Sequence, residues 1–313
     1  IQDLARMDLP DGFEVSRTTG LGRTTTHRVE NLPTGQARRV TTDPNGLMTE
    51  RLIGEDGTHT TTTPDGMIST LVQGPDPRFG MAAPKALQFT MTAPGGLTFS
   101  MRTDAFATLT EPGNPLSAET LTEELFVNNR LFTTSYEAAT NTQTETSAAG
   151  RLVRTVMDNL SHVVETEVDG LLPIRYSYDP AGRVQTIAQG TGAAARTTAF
   201  AYDSDGFLER VTDPLLRDVR FIYDAAGRIT TQTLPDGREI LYAYDENGNV
   251  TSITPPGRPA HLSTYTPVNL EANYTPPPIG AGATATQFTY NADRQLTQIT
   301  RPDGQLVTFD YDT

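Results

Sequence analysis

The sequence has 313 residues, no cysteine and no tryptophan, with 24 basic against 38 acidic side chains for a formal net charge of −14. The lack of cysteine excludes a disulfide framework, a thiolate nucleophile and any Cys-ligated zinc or iron–sulfur centre. The acidic balance argues against nucleic-acid phosphates as the main partner, and no apolar run reaches the roughly 18 residues that a membrane-spanning helix needs. Apolar residues make up 36% of the chain, enough for packed structure rather than disorder. The chain opens at Ile1 with no methionine or signal-like segment, which predicts a piece processed or excised from something longer.

Composition points to strands throughout. The chain holds 51 threonines, 26 glycines and 22 prolines, but a single lysine, Lys85. Threonine is β-branched and fits a pleated, half-exposed surface. Glycine and proline at this density punctuate many short strands with tight turns. In the first half, Thr42-Asp-Pro-Asn-Gly46 and Thr63-Pro-Asp-Gly66 repeat one turn signature at a 20-residue offset, followed by Leu47 and Met67. Thr58–Thr63 reads as a solvated strand open to O-glycan attachment. These features belong to a divergent β-rich region, 1–175, that is irregular from about 74 to 147. The best helix candidate is Ser117–Asn129, which opens on a serine and carries Glu119 and Glu123 early, as a helix N-terminus prefers.

From residue 176 to 313 a repeat takes over. Tyr176-Ser-Tyr178-Asp179, Phe200-Ala-Tyr202-Asp203, Phe221-Ile-Tyr223-Asp224, Tyr242-Ala-Tyr244-Asp245, Phe288-Thr-Tyr290-Asn291 and Phe309-Asp-Tyr311-Asp312 are copies of one pattern. Their second aromatics are spaced 24, 21, 21, 46 and 21 residues apart, and Tyr265 divides the long gap as a degenerate copy. A turn follows each tyrosine, closed by Gly182, Gly206, Gly227 or Gly248, and a second turn comes about ten residues on, as in Leu234-Pro-Asp-Gly237-Arg238. Two strands of about seven residues plus two turns account for the period, so each unit is a β-hairpin and consecutive units form an antiparallel meander. A proline-rich insertion or degenerate repeat occupies 254–280, where prolines exclude a central strand.

Strand alternation places both aromatics of a copy on one face of the sheet, predicting an aromatic ladder along the repeat. The arginines after turn glycines, Arg183, Arg228, Arg238 and Arg258, lie within reach of tyrosine rings or turn aspartates and are expected to staple hairpins together.

The motif Tyr-Asp-x-x-Gly-Arg-Val/Ile, as in Tyr178–Val184 and Tyr223–Ile229, with Leu-Pro-Asp-Gly-Arg between copies, resembles the YD repeat of the RHS-repeat family. That family includes bacterial RHS polymorphic toxins, the cage-forming subunits of insecticidal Tc toxins, and animal teneurins. The resemblance is specific from about Tyr176 to Thr313. It implies an all-β fold in which antiparallel hairpin repeats form a curved, spiralling sheet, a section of a hollow β-shell. The core-associated autoprotease segment and variable toxic domain of the family's toxins have no counterpart here, so toxicity of this polypeptide itself is not expected. The resemblance implies a structural, non-catalytic role in a large secreted or cell-surface bacterial protein, shielding a passenger polypeptide such as a toxin. The expected partners are the remainder of its own long chain and that passenger.

Chemical signatures add little to this. The sequence contains no G-x-S-x-G, H-E-x-x-H or phosphate-binding G-x-x-x-x-G-K. His27, His59, His162 and His261 are far apart, with no second ligand at helical or hairpin spacing, so no metal is expected. Asp203-Ser-Asp205-Gly206 and Asp245-Glu-Asn247-Gly248 have oxygens at alternate positions but no terminal bidentate glutamate, and read as turns. No catalytic residue and no cofactor is expected. The alternative reading is an extracellular adhesion module binding carbohydrate or a surface protein through its tyrosine-rich face, with Tyr176, Tyr242, Tyr265 and Tyr274 as candidate ligand contacts. Unpaired strand edges at the ends of such a sheet also predict self-association.

Overall fold

The computed structural model describes residues 2–278 and 285–311. Among them are 27 β-strands, one short 3-10 turn at Gly192–Ala194 and no α-helix. The fold is all-β and its strand pairs are antiparallel, as the composition and the repeat predict. The chain divides into two compact units, one ending at Ile174 and the other beginning at Arg175.

The first unit is a meander from β1 (Asp3–Leu9) to β14 (Val163–Val168), with successive strands bonded to one another. The stretch that lacks a clear repeat in the sequence carries the longest strands: β8 (Gly80–Thr92), β9 (Thr98–Leu109) and β10 (Ala118–Val127). The helix expected at Ser117–Asn129 is therefore a strand. Its main chain is bonded on both sides, with Thr122 opposite Phe106 of β9 and Leu125 opposite Phe132 of β11 (Arg130–Glu137). Ser117 caps no helix; its hydroxyl donates to the carbonyls of Glu111 and Asn114, closing the turn that leads into β10.

The second unit is built from shorter strands. Its hairpins include β17 (Arg196–Tyr202) with β18 (Leu208–Thr212), β19 (Asp218–Tyr223) with β20 (Ile229–Thr233), and β21 (Glu239–Tyr244) with β22 (Val250–Thr254). The proline-rich segment folds the same way. Pro255 and Pro256 sit in a turn, and β23 (His261–Tyr265) and β24 (Glu271–Thr275) form one more hairpin, followed by β25 (Thr286–Tyr290) with β26 (Leu296–Thr300).

Each tyrosine turn has the same geometry. The main-chain N–H of Asp179 donates to Arg183 O, and the N–H of Gly182 donates back to Asp179 O, both at 2.9 Å. Glycine in the fourth position adopts φ of 78° at Gly182 and 76° at Gly227, the left-handed region where a side chain is strained. This is a type I turn closed by a bulge, and the strand register shifts by one residue at Tyr202, Tyr223, Tyr244, Tyr265 and Tyr290.

The sheet carries almost no interior. Val40, 9% exposed, is the most deeply buried of the large apolar residues among the described residues, and no side chain there is fully buried. The chain exposes 20083 Å², where a compact 34.0 kDa monomer would expose about 13,000 Å².

Some turns put a residue other than glycine in the left-handed position, among them Leu216, Asn269 and Arg294. Leu216 holds the glycine position at φ 63° and its side chain is exposed. A non-glycine residue there costs about 1–2 kcal/mol, partly offset by the stiffer unfolded chain. Leu216→Gly is expected to raise stability by about 0.5–1 kcal/mol in urea unfolding, whereas Gly227→Ala lowers it by at least as much.

Candidate functional site

The chemistry of this chain is concentrated in the repeat residues of the second unit, and it begins with the turn aspartates. The Asp224 Oδ1 atom accepts the N–H groups of Ala226 and Arg228, and Oδ2 accepts Arg228 Nε at 2.7 Å. Asp179 does the same with Ala181 and Arg183, and Asp203 with Asp205 and Phe207 through the main chain. Asp245 accepts the N–H groups of Asn247 and Asn249 and the Asn249 amide. The backbone N–H of Arg183 and of Arg228, reinforced by their guanidinium groups, holds the Asp179 and Asp224 carboxyls below the usual aspartate range. For Asp245 the first cause is the Asn249 side chain.

At three of these turns the residue after the glycine reaches the next tyrosine, whereas Asn249 after Gly248 bonds Asp245 and Asn269. Arg183 lies over the Tyr202 ring at 4.3 Å and Arg228 over the Tyr244 ring at 4.7 Å, while Phe207 stacks on Tyr223 at 5.0 Å. Arg228 also donates to the carbonyl of Asp245, linking one turn to the next. Arg238 stays within its own turn, on Asp236 at 2.7 Å.

The tyrosine hydroxyls supply a further tie. Tyr202 donates to Val184 O, Tyr223 to Leu208 O, Tyr244 to Ile229 O, Tyr265 to Val250 O, Tyr290 to Glu271 O and Tyr311 to Leu296 O, all at 2.8–2.9 Å. Every acceptor lies two residues beyond the left-handed position of the preceding tyrosine turn: Gly182, Gly206, Gly227, Gly248, Asn269 or Arg294. Tyr223, Tyr244, Tyr265, Tyr290 and Tyr311 thus each reach back one hairpin and bond the residue placed opposite the previous tyrosine. Desolvation, then the nearby Asp203 or Glu271, pushes the Tyr223 and Tyr290 hydroxyls up, keeping both as donors.

Sequence reasoning missed this hydroxyl tie. Its signal was present: an aliphatic residue recurs two places after each turn glycine, at Val184, Leu208, Ile229 and Val250.

The remaining candidates fall around the same face. Tyr242 donates to Gln232 Oε1 at 3.3 Å, and Tyr274 stacks on His261 and meets its Nδ1 at 2.6 Å. Tyr176 and Tyr178 belong to β15 (Ile174–Tyr178). Asp312 lies outside the described residues. The structure does not gather His27, His59, His162 and His261; His27 pairs with Thr41 and His162 with Asp158. Among the described residues no three His, Asp or Glu converge on a metal-sized site, and no helix is long and apolar enough to cross a membrane.

Comparison with known proteins bears on this arrangement. The family model described as Teneurin YD-shell matches residues 15–313. No curated protein matches the chain. Among the solved structures that resemble it are these two. A Photorhabdus luminescens Tc holotoxin pore carrying a TccC3 variant is 14% identical with a TM-score of 0.53, over 92% of this chain and 18% of that one. TcdB2-TccC3 without its hypervariable C-terminal region is 14% identical with a TM-score of 0.53, over 96% and 18%. At that identity the likeness shows the fold, and this chain spans less than a fifth of the chains it matches.

Two measurements follow from this geometry. Tyr244→Phe removes one hydroxyl tie and should cost about 1 kcal/mol of stability in urea unfolding, with the fold retained. The turn aspartates have folded pKa values depressed below their unfolded values. Their contribution is therefore full above the unfolded value and is lost as pH falls through the folded ones. Thermal stability should hold from pH 7 to about 5 and fall progressively below about pH 4, less steeply in Asp224→Asn.

Proposed function

The chain belongs to the teneurin YD-shell family, and on that premise we propose that it is a non-catalytic wall section of a YD-repeat shell that surrounds and shields a passenger polypeptide. The observation that carries this reading is the sequence of ties between hairpins. Main-chain ladders and tyrosine hydroxyls bind hairpin to hairpin, and stacked side chains add to the tie at Tyr202, Tyr223 and Tyr244. Such a wall blocks passage of a folded or folding chain by sterics alone, without a reactive group.

The chain spans 18% of the Tc toxin chains it resembles, so the rest of a shell would be further repeats of a larger protein. Strand β1 is exposed almost throughout and bonded to β2 (Gly12–Thr18) along one side, an edge suited to receiving another strand of the same shell. The passenger is proposed to be a toxic or otherwise harmful segment, and the setting secreted or cell-surface and bacterial. Of the four tyrosines in the adhesion reading, Tyr265 gives its hydroxyl to the Val250 carbonyl, Tyr242 to the Gln232 side chain, and Tyr274 meets His261, which favours a structural use of these three.

The test is limited proteolysis of the native full-length polypeptide that contains this segment. A passenger inside the wall is expected to be cut at least about tenfold more slowly than the same segment expressed alone, with protection lost when the shell is unfolded. Equal rates in the two forms would overturn the reading.

A further inference from the structure

Strand alternation sorts the charges of the first six strands onto opposite faces of the sheet. After β1 and β2 come β3 (Thr24–Asn31), β4 (Ala37–Thr42), β5 (Met48–Ile53) and β6 (Thr58–Thr62), each paired with the one before it. Residues directly opposite one another in an antiparallel pair share a face. The register therefore puts Glu14, Arg28, Glu30, Arg38 and Glu50 together on one face. There guanidinium meets carboxylate: Arg28 bonds Glu30, and Arg38 bonds both Glu30 and Glu50.

The opposite face has cations without that balance. It carries Arg17, Arg39 and Arg51, and the one carboxylate among its strand residues, Asp8, is taken by Arg6. Arg39 and Arg51 stand directly opposite each other across β4 and β5, and both are exposed. Like charges in that relation destabilise the strand pair. Arg51 donates to the Thr61 hydroxyl at 3.3 Å, while the Arg39 guanidinium has no hydrogen bond or ion pair among the described residues. Turn acids do not compensate: Asp43 accepts the N–H groups of Asn45 and Leu47, and Asp56 that of Thr58.

In a chain of net charge −14, an opposed and unpaired arginine couple is a local exception that only an anion from outside relieves. The rest of the molecule repels a long polyanion, but charges beyond a Debye length of about 10 Å are screened, so a short acidic stretch senses mainly the patch. Guanidinium groups pair with carboxylates through two parallel hydrogen bonds. An extended polypeptide presents alternate side chains on one side about 7 Å apart, a spacing that two long arginine side chains on neighbouring strands can meet. We propose that this face, centred on Arg39 and Arg51, docks an acidic polypeptide segment in extended form, with alternate carboxylates on the two guanidinium groups. Such docking does not depend on a passenger being enclosed.

The test is fluorescence anisotropy at low salt: the 313-residue chain is titrated into a short labelled peptide of alternating glutamate and threonine, and into the same peptide with glutamine for glutamate. Saturable binding of the glutamate peptide is expected, lost for the glutamine peptide and weakened at least about fivefold by Arg39→Gln together with Arg51→Gln. Arg217→Gln together with Arg238→Gln changes the net charge equally in the second unit and should leave the affinity unchanged. The comparison of peptides uses the unaltered chain and so holds even if the first double variant fails to fold. No saturable binding up to about 1 mM, equal binding of the glutamine peptide, full affinity in the folded Arg39→Gln, Arg51→Gln variant, or tighter binding of a single-stranded oligonucleotide of the same charge would overturn the proposal.

Discussion

Almost no side chain among the described residues is withdrawn from water, and the rest of this structure follows from that constraint. A globular domain draws most of its stability from apolar side chains withdrawn from water; here Val40 alone makes a buried apolar core among the described residues, and no side chain is fully buried. Stability has to come from half-burial repeated many times and from hydrogen bonds that run between hairpins rather than into a core. In the second unit the tyrosine does both jobs: its ring is covered by the residue after a turn glycine, and its hydroxyl bonds a carbonyl in the hairpin before it. Either contact alone is modest, but the hydroxyl tie recurs at six tyrosines and the ring contact at three, and the recurrence adds up.

The turns carry the second half of the burden. A tight hairpin loop strands main-chain N–H groups that must find acceptors. The aspartate that opens each loop supplies them from one carboxylate and, at Asp179 and Asp224, uses its second oxygen to aim an arginine at the next tyrosine. Where threonine opens the loop, as at Thr266, the hydroxyl takes over the N–H of Leu270 and no arginine is recruited. Asparagine fills in at Asn291 with the same main-chain contacts. The repeat therefore tolerates change in the opening residue, provided an oxygen stays in place.

Much of this was legible in the sequence because it is periodic. Tyrosine spacing, turn glycines and strand alternation are local signals, and they locate the hairpins of the second unit down to the degenerate copy at Tyr265. Ser117–Asn129 shows the limit of local reading. Its serine and early glutamates favour a helix, but pairing with both β9 and β11 decides in favour of a strand, and neither partner is visible from within that segment. The ion pair of Lys85 with Glu123 was hidden for the same reason, since it joins residues 38 apart. The hydroxyl ties were missed because their acceptors are carbonyls, which every residue owns and no letter of the sequence announces.

The meander has a consequence for how such a chain comes into being. In the hairpins of the second unit each strand bonds its neighbours in the chain, so contacts close over a few residues rather than across the whole polypeptide. Low contact order of this kind is unusual for an all-β protein and favours rapid assembly. Each hairpin can dock on its predecessor as soon as it leaves the ribosome or a translocation pore, without waiting for distant sequence. The growing end always presents an open ladder and a carbonyl awaiting the next tyrosine hydroxyl. Such a wall can be laid course by course, in the order in which it is translated.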